Sequence, residues 1–160
     1  MAAALVCGCQ TDKKKSELSV LRVHLQASSS SSGATVPVTV LRSNPVSVTV
    51  VHDPILTEAN VLAARVIETP GGFAIEIQFD ETSSVLLEQY SSANLGLHFV
   101  IFGQWGDSAA KARWLAAPLI THRIATGQLA FTPDITRAEA DRLVLGLNNV
   151  AKKTQKDTFK

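Results

Sequence analysis

The sequence predicts an α+β domain in which two amphipathic helices pack on one face of a mainly antiparallel sheet, preceded by an N-terminal strand and a β-hairpin. Three stretches carry that expectation. Phe73, Ile75, Ile77 and Phe79 alternate with Ala74, Glu76, Gln78 and Asp80, the period-two pattern of a half-buried strand. Thr136 and Glu139 form a capping box, with Ile135 and Ala140 placed as a hydrophobic staple; Ala140, Leu143, Val144 and Leu147 then fall at helical spacing. Val36–Leu41 and Val46–Val51 are β-branched runs separated by Ser43-Asn44-Pro45, which reads as a hairpin.

In chain order, residues 1–17 read as a signal-like start and polar tether. Residues 18–54 form a β segment: Leu21, Val23 and Leu25 alternate with Arg22, His24 and Gln26, and a run of five serines from Ser28 to Ser32, with Gly33, makes a flexible loop before the hairpin. Pro37 lacks a donor and puts its strand at an edge or an end. The main domain spans 55–151. Thr57 caps a short turn through Glu58 to Val61, Arg65 to Glu68 is extended, and Thr69-Pro70-Gly71-Gly72 turns into the alternating strand. Asp80 is an N-cap with Glu81 in the first turn, and Leu86, Tyr90 and Ala93, with Leu87, mark an apolar stripe that ends at Gly96. Leu97 to Phe102 is almost continuously apolar, as a strand buried on both faces should be. Gly103 to Arg113 reads as a polar excursion with a turn of helix from Ser108. Leu119 to Ile124 and Gln128 to Thr132 read as short strands, and residues 152–160 as a frayed tail.

Composition narrows the classes of function. Among 160 residues, charged side chains make up 18% and hydrophobic ones 46%, which suits a compact core better than disorder. Net charge is +1, and no basic stripe points to nucleic acid; the run Lys13-Lys14-Lys15 reads as a solvated tail. No stretch approaches the ~20 apolar residues that span a bilayer as a helix.

Both cysteines lie near the start, in Val6-Cys7-Gly8-Cys9. This resembles a bacterial lipobox, which implies cleavage after Gly8 and a lipid on the Cys9 thiol, anchoring the chain to a membrane. Gln10 follows the anchor; in Gram-negative lipoprotein sorting Asp at that place retains a protein at the inner membrane, so the outer membrane stays open as a destination. A plain cytosolic tail and a Cys-x-Cys metal or redox pair are the other readings; two thiols without a His or acidic neighbour make a poor zinc set.

Leu56-Thr57-Glu58-Ala59-Asn60-Val61 with Ala64-Arg65-Val66, the strand Phe73 to Asp80-Glu81, Tyr90 to Gly96, Leu97 to Phe102, Ala117-Pro118-Leu119-Ile120, Ile124 to Phe131 and Thr136 to Ala140 follow one another in an order and spacing that resembles the head subdomain of the first periplasmic domain of SecD. The likeness covers about Leu56 to Asn149. It implies a cell-envelope binding module on the periplasmic side, accessory to protein export, whose partners are proteins or unfolded protein segments. A structural lipoprotein in a stable envelope complex is the alternative, and an enzyme the more remote one.

No catalytic constellation, metal site, cofactor or small-molecule substrate is expected. His24, His98 and His122 sit on expected strands as structural residues, His52-Asp53 lacks a nucleophile, and Asp80-Glu81 is accounted for by its helix start. No Gly-x-Ser-x-Gly, phosphate loop or dinucleotide fingerprint occurs. Trp105 and Trp114 stand out: both bound the polar excursion, where exposed tryptophan would serve as a partner-binding anchor, and where the other reading has them folded back over the sheet edge or core.

Overall fold

The computed structural model describes residues 17–106 and 111–158. Cys7, Cys9, Lys13 to Lys15 and the turn expected from Ser108 lie outside them. The elements are β1 (Ser19–Leu25), β2 (Thr35–Val40), β3 (Val46–Val51), β4 (Leu56–Thr57), a 3-10 turn (Glu58–Asn60), β5 (Val61–Thr69), β6 (Gly72–Phe79), α1 (Glu81–Ala93), β7 (Phe99–Trp105), β8 (Ala112–Ala116), β9 (Gln128–Phe131) and α2 (Arg137–Thr158). The fold is α+β with antiparallel pairing throughout these strands.

The expected single sheet is divided. One sheet runs β4-β1-β7-β8, a second β5-β6-β9, and β2-β3 is a two-stranded ribbon. The division arises because β7 pairs along its whole length with β1, from Ser19↔Trp105 to Leu25↔Phe99, and not with β6. The folded unit therefore starts at β1, not at Ile55: the segment read as a prelude supplies an interior strand of the main sheet. At its far end α2 continues through the stretch read as a frayed tail as far as Thr158.

Both sheets turn their apolar faces into one core. Leu21 and Val23 of β1, Ile75, Ile77 and Phe79 of β6, Phe99, Ile101 and Trp105 of β7, and Leu143 and Leu147 of α2 all lie within it. The strict alternation of β6 thus meets the buried face expected of it. Leu87 of α1 joins the same core, but its neighbours on that helix face are Ser83 and Ser91, while Leu86 is exposed. The expected stripe through Leu86 is displaced by one residue because α1 docks through small hydroxyls. Ser91 Oγ accepts from Ile124 N–H at 2.9 Å, and Asp80 caps the helix by accepting from Ser83 N–H at 2.8 Å. The residues expected to form a strand from Leu119 make only an isolated bridge, His98↔Leu119.

α2 lies across both sheets and starts with the expected capping box: Thr136 N–H donates to Glu139 Oε2 at 2.9 Å and Glu139 N–H to Thr136 Oγ1 at 3.3 Å. Its Asn148 receives the Ala64 N–H and donates back to the Ala64 carbonyl, both at 2.9 Å. One side-chain amide thereby satisfies both outward backbone groups of Ala64 on edge strand β5. Against β1 the helix comes closer still. A Cβ on Gly146 would lie 2.1 Å from Ser19 Oγ and 2.7 Å from Ser19 N, so the absence of a side chain sets the depth at which the helix rests.

Glycine in an exposed helix interior costs about 1 kcal/mol relative to alanine, and replacing it would ordinarily stabilise. Here Gly146→Ala should instead destabilise by about 1–3 kcal/mol, the usual cost of forcing atoms into a filled interface. Urea unfolding of the two proteins checks the sign.

Candidate functional site

The outer face of the main sheet has its own cover. The β2-β3 ribbon lays Val38, Val40 and Val50 on Val100, with Val48, Trp114 and Ala117 packed at the margin. Val100 is fully buried on this side while Phe99 and Ile101 are buried on the other. The apolar run around Leu97–Phe102 is therefore explained: β7 is sandwiched between core and ribbon.

Polar contacts among the described residues help fix the ribbon. At its base, His24 Nδ1 lies 3.0 Å from the Val51 carbonyl. Beside it, Ala27 N–H donates to the Thr49 carbonyl at 2.8 Å. Beyond the ribbon's turn, Asp134 Oδ2 accepts from Arg42 N–H at 2.9 Å and from Arg42 Nε at 3.2 Å. Partial burial pushes the Asp134 carboxyl up, but the hydrogen bonds from Arg42 outweigh it and hold the group below its ordinary value.

Where the base of the ribbon meets the sheet, a groove of about 240 Å³ opens between Val36 and His52 on one side and Arg22, His24, Phe102 and Trp114 on the other. The Trp114 ring stands edge-on to His24 at 5.1 Å and to Phe102 at 5.4 Å. Arg22 and His52 are exposed at its rim. Ligand pockets for drug-sized molecules usually start near 300 Å³; this groove is of a size for one or two amino-acid side chains. Its aromatic wall beside a guanidinium suits an apolar or aromatic side chain with a polar neighbour.

The two tryptophans part company. Trp114 lies half-buried on β8 and forms a wall of the groove. Trp105 is fully buried at the end of β7 and offers no surface to a partner. Of the stretch read as a loop, Gly103 to Trp105 end β7 and Ala112 and Arg113 start β8, so Ile101, Gly103 and Trp105 continue the strand's inward alternation. Gly103 looks like a loop residue in the sequence; it is a packing residue, since a Cβ there would meet Leu115 Cδ1 at 2.6 Å. The Arg113 guanidinium sits 5.2 Å from the Trp105 ring centroid.

The histidines are placed individually. His24 is buried in the groove wall. His98 Nδ1 pairs with Gln26 Oε1 at 2.7 Å, and the same oxygen accepts from His98 N–H at 3.0 Å. His52 Nδ1 and Asp53 Oδ1 are 3.0 Å apart in an exposed pair, and His122 Nδ1 meets Thr121 Oγ1 at 3.0 Å on the surface. Among the described residues no group of three or more His, Cys, Asp or Glu could hold a metal ion, and no helix is long and apolar enough to cross a membrane. The sequence does not show that Arg22, His24, His52 and Phe102 line one groove with Trp114. The outward alternation of Arg22 and His24 was visible, but not that a ribbon would cover it.

No protein-family model matches the chain, and no curated protein matches it. Solved structures do. A structure of SecDF, a membrane component that enhances protein export, superposes with a TM-score of 0.60 at 16% identity, over 91% of this chain and 71% of that one. SecDF in its super-membrane-facing form gives a TM-score of 0.60 at 16% identity, over 89% of this chain and 21% of that one. The chain thus spans about a fifth of the latter's length. The expected likeness to SecD holds at the level of the fold and extends beyond the stretch from Leu56 to Asn149 to include the N-terminal strands.

Burial lowers the His24 pKa from its ordinary 6.5, against the hydrogen bond to the Val51 carbonyl, with Arg22 and His52 adding to the lowering. The sign follows from linkage. A histidine whose folded pKa is depressed is neutral in both states above about pH 6.5; below that the unfolded chain takes up the proton first, so stability falls with falling pH. The Asp134 and Glu139 carboxyls, both held below their ordinary values, lose their contribution only below about pH 4.5. Unfolding free energy should therefore decline from pH 6.5 towards 5, and His24→Gln should flatten that part of the profile. An unchanged slope in His24→Gln would assign it elsewhere.

Proposed function

We propose that the chain is a non-catalytic binding module of the cell envelope that holds protein segments on its periplasmic side, as an accessory to protein export. The observation that carries this reading is the fold: nine-tenths of the chain superposes on SecDF, a component that enhances export. The groove beside Trp114 supports it from the chemistry side, because its volume suits side chains of a polypeptide better than a cofactor. Half-buried tryptophan walled by other aromatics is the kind of residue that anchors protein contacts. Trp105 is left out of the role, being part of the core.

The anchor belongs to the same proposal. A lipid on Cys9 would tether the module to the membrane without a spanning helix, and Thr11 to Ser16 would serve as the leash, Glu17 being held against α2 by Arg142 and Asn149. Diacylglyceryl and amide-linked acyl chains together give stable anchoring where a single chain would not.

Two experiments test the two parts. A photoreactive residue at Val36, which is exposed at the groove, should give a broad set of adducts with exported proteins in cells. A single sharp adduct would instead favour a fixed envelope complex, and none would remove the binding role from this surface. Cys9→Ser should move the protein from the membrane to the soluble fraction and abolish a lipid-bearing mass; an unlipidated wild-type protein would sink the anchor.

A further inference from the structure

The ribbon has a second, unused side. Antiparallel strands point the backbone groups of successive residues to alternate edges. In β3 the orientation is fixed by its neighbours: the Thr49 carbonyl accepts from Ala27 N–H, away from β2, while His52 N–H donates to the Ala34 carbonyl on the β2 side. Ser47 shares the orientation of Thr49. Its N–H and carbonyl, and the N–H of Thr49, therefore face outward and have no partner among the described residues.

These groups do not face open solvent across a flat edge. They form one wall of a cleft of about 620 Å³, opposite His98 and Ala117, with Val40 and Val48 within and Leu41 and Val46 at its mouth. None of the residues lining it is Asp, Glu, Lys or Arg. Leu41 and Val46 are 41% and 43% exposed. Leu41 is the one non-glycine described residue with positive φ, 65°, a conformation that costs a branched side chain free energy and that tends to occur at functional sites. Proteins usually protect such an edge with lysine, proline or a covering element. The other edge of this ribbon has that protection in Pro37, which stands opposite Thr49; on β3 Pro45 stops short of the strand and Gln26 and Ala27 cover only its Thr49–Val50 end, which leaves the Ser47 groups uncovered between them.

We propose that this cleft is a strand-addition site, in which an extended, uncharged polypeptide segment pairs antiparallel with Val46–Thr49. The inserted chain would continue the ladder that Gln26 and Ala27 already make with Val50 and Thr49. It would exchange hydrogen bonds with Ser47 and Thr49, and alternate side chains would drop onto Val48 and Ala117. A lone extended chain fits the occupancy better than a second copy of this protein. The edge strand of another copy would bring its own paired neighbour, and His98 and Ala117 close the space such a ribbon needs. The proposal rests on the reading of the chain as a holder of protein segments. It concerns a different surface from the Trp114 groove.

The test uses purified protein and a fluorescein-labelled hexapeptide of alternating valine and threonine, followed by anisotropy. Ser47→Pro removes the outward N–H without touching a bond to β2, so it leaves the ribbon intact. Ser47→Ala keeps that N–H. The wild type and Ser47→Ala should bind alike, while Ser47→Pro should lose about tenfold or more, the worth of one to two backbone hydrogen bonds. Val46→Lys, a change at an exposed position, should weaken binding as well and guards against a folding defect in the proline variant. A peptide N-methylated at alternate residues should fail to bind. Absence of binding to the wild type, equal binding by Ser47→Pro and Val46→Lys, or self-association of the chain that Ser47→Pro abolishes would each overturn the proposal. None of these results bears on adducts formed at Val36, so the two readings can fail separately.

Discussion

The seat of α2 on β1 is the contact on which the rest of the architecture depends. Among the described residues the two larger sheets share no hydrogen-bonded strand pair, so what joins them is a common core and a helix that lies on both. That helix reaches β1 because Gly146 presents no side chain to Ser19, and reaches β5 because Asn148 meets the Ala64 backbone. Arg142 and Asn149 extend the same attachment to Glu17, through a guanidinium–carboxylate pair at 2.9 Å and a hydrogen bond from Asn149 Nδ2 to the Glu17 carbonyl at 2.8 Å. Were the helix lifted by the width of a methyl group, Leu143 and Leu147 would withdraw from the core, and the contact between sheets would loosen with them.

A sheet held on one face by a helix still has another face to cover. The β2-β3 ribbon does this with three buried valines, Val38, Val40 and Val50, laid on Val100 of the sheet, and with two polar clamps at opposite ends of its length, His24–Val51 and Arg42–Asp134. Clamping at the ends leaves the flanks less constrained. On one flank the aromatic groove beside Trp114 opens, and on the other the bare edge of β3. Both surfaces proposed to receive a partner are consequences of how the ribbon is attached, and neither proposal invokes a catalytic group.

Much of this was legible in the sequence, for reasons tied to particular residues. The alternation Phe73–Phe79 is read directly because β6 has one buried face. The Thr136–Glu139 box is read because capping chemistry is local. The ribbon is read because Ser43-Asn44-Pro45 interrupts two β-branched runs, and Pro37 does fall on the edge strand. The order of motifs also led to the right fold. What was not legible is non-local: that β1 pairs with β7, that Ser83 and Ser91 and not Leu86 mark the docked face of α1, and that Gly103 is a packing site inside a strand. Trp105 and Trp114 stand alike in the sequence, as anchors or as packing residues; the fold buries Trp105 and leaves Trp114 half-buried, and the ring neighbours of Trp114, His24 and Phe102, come from two other strands and are assembled only by the fold.

The claim at the centre of this account is that the ribbon flanks receive extended polypeptide while the helix-backed core stays unchanged. Hydrogen–deuterium exchange with and without reduced, carboxymethylated α-lactalbumin measures that most directly. The account predicts added protection confined to residues 36–52 and to the strands beneath them near His24 and Trp114, with α2 unaffected. Protection spread evenly over the chain, or confined to α1 and α2, would contradict it.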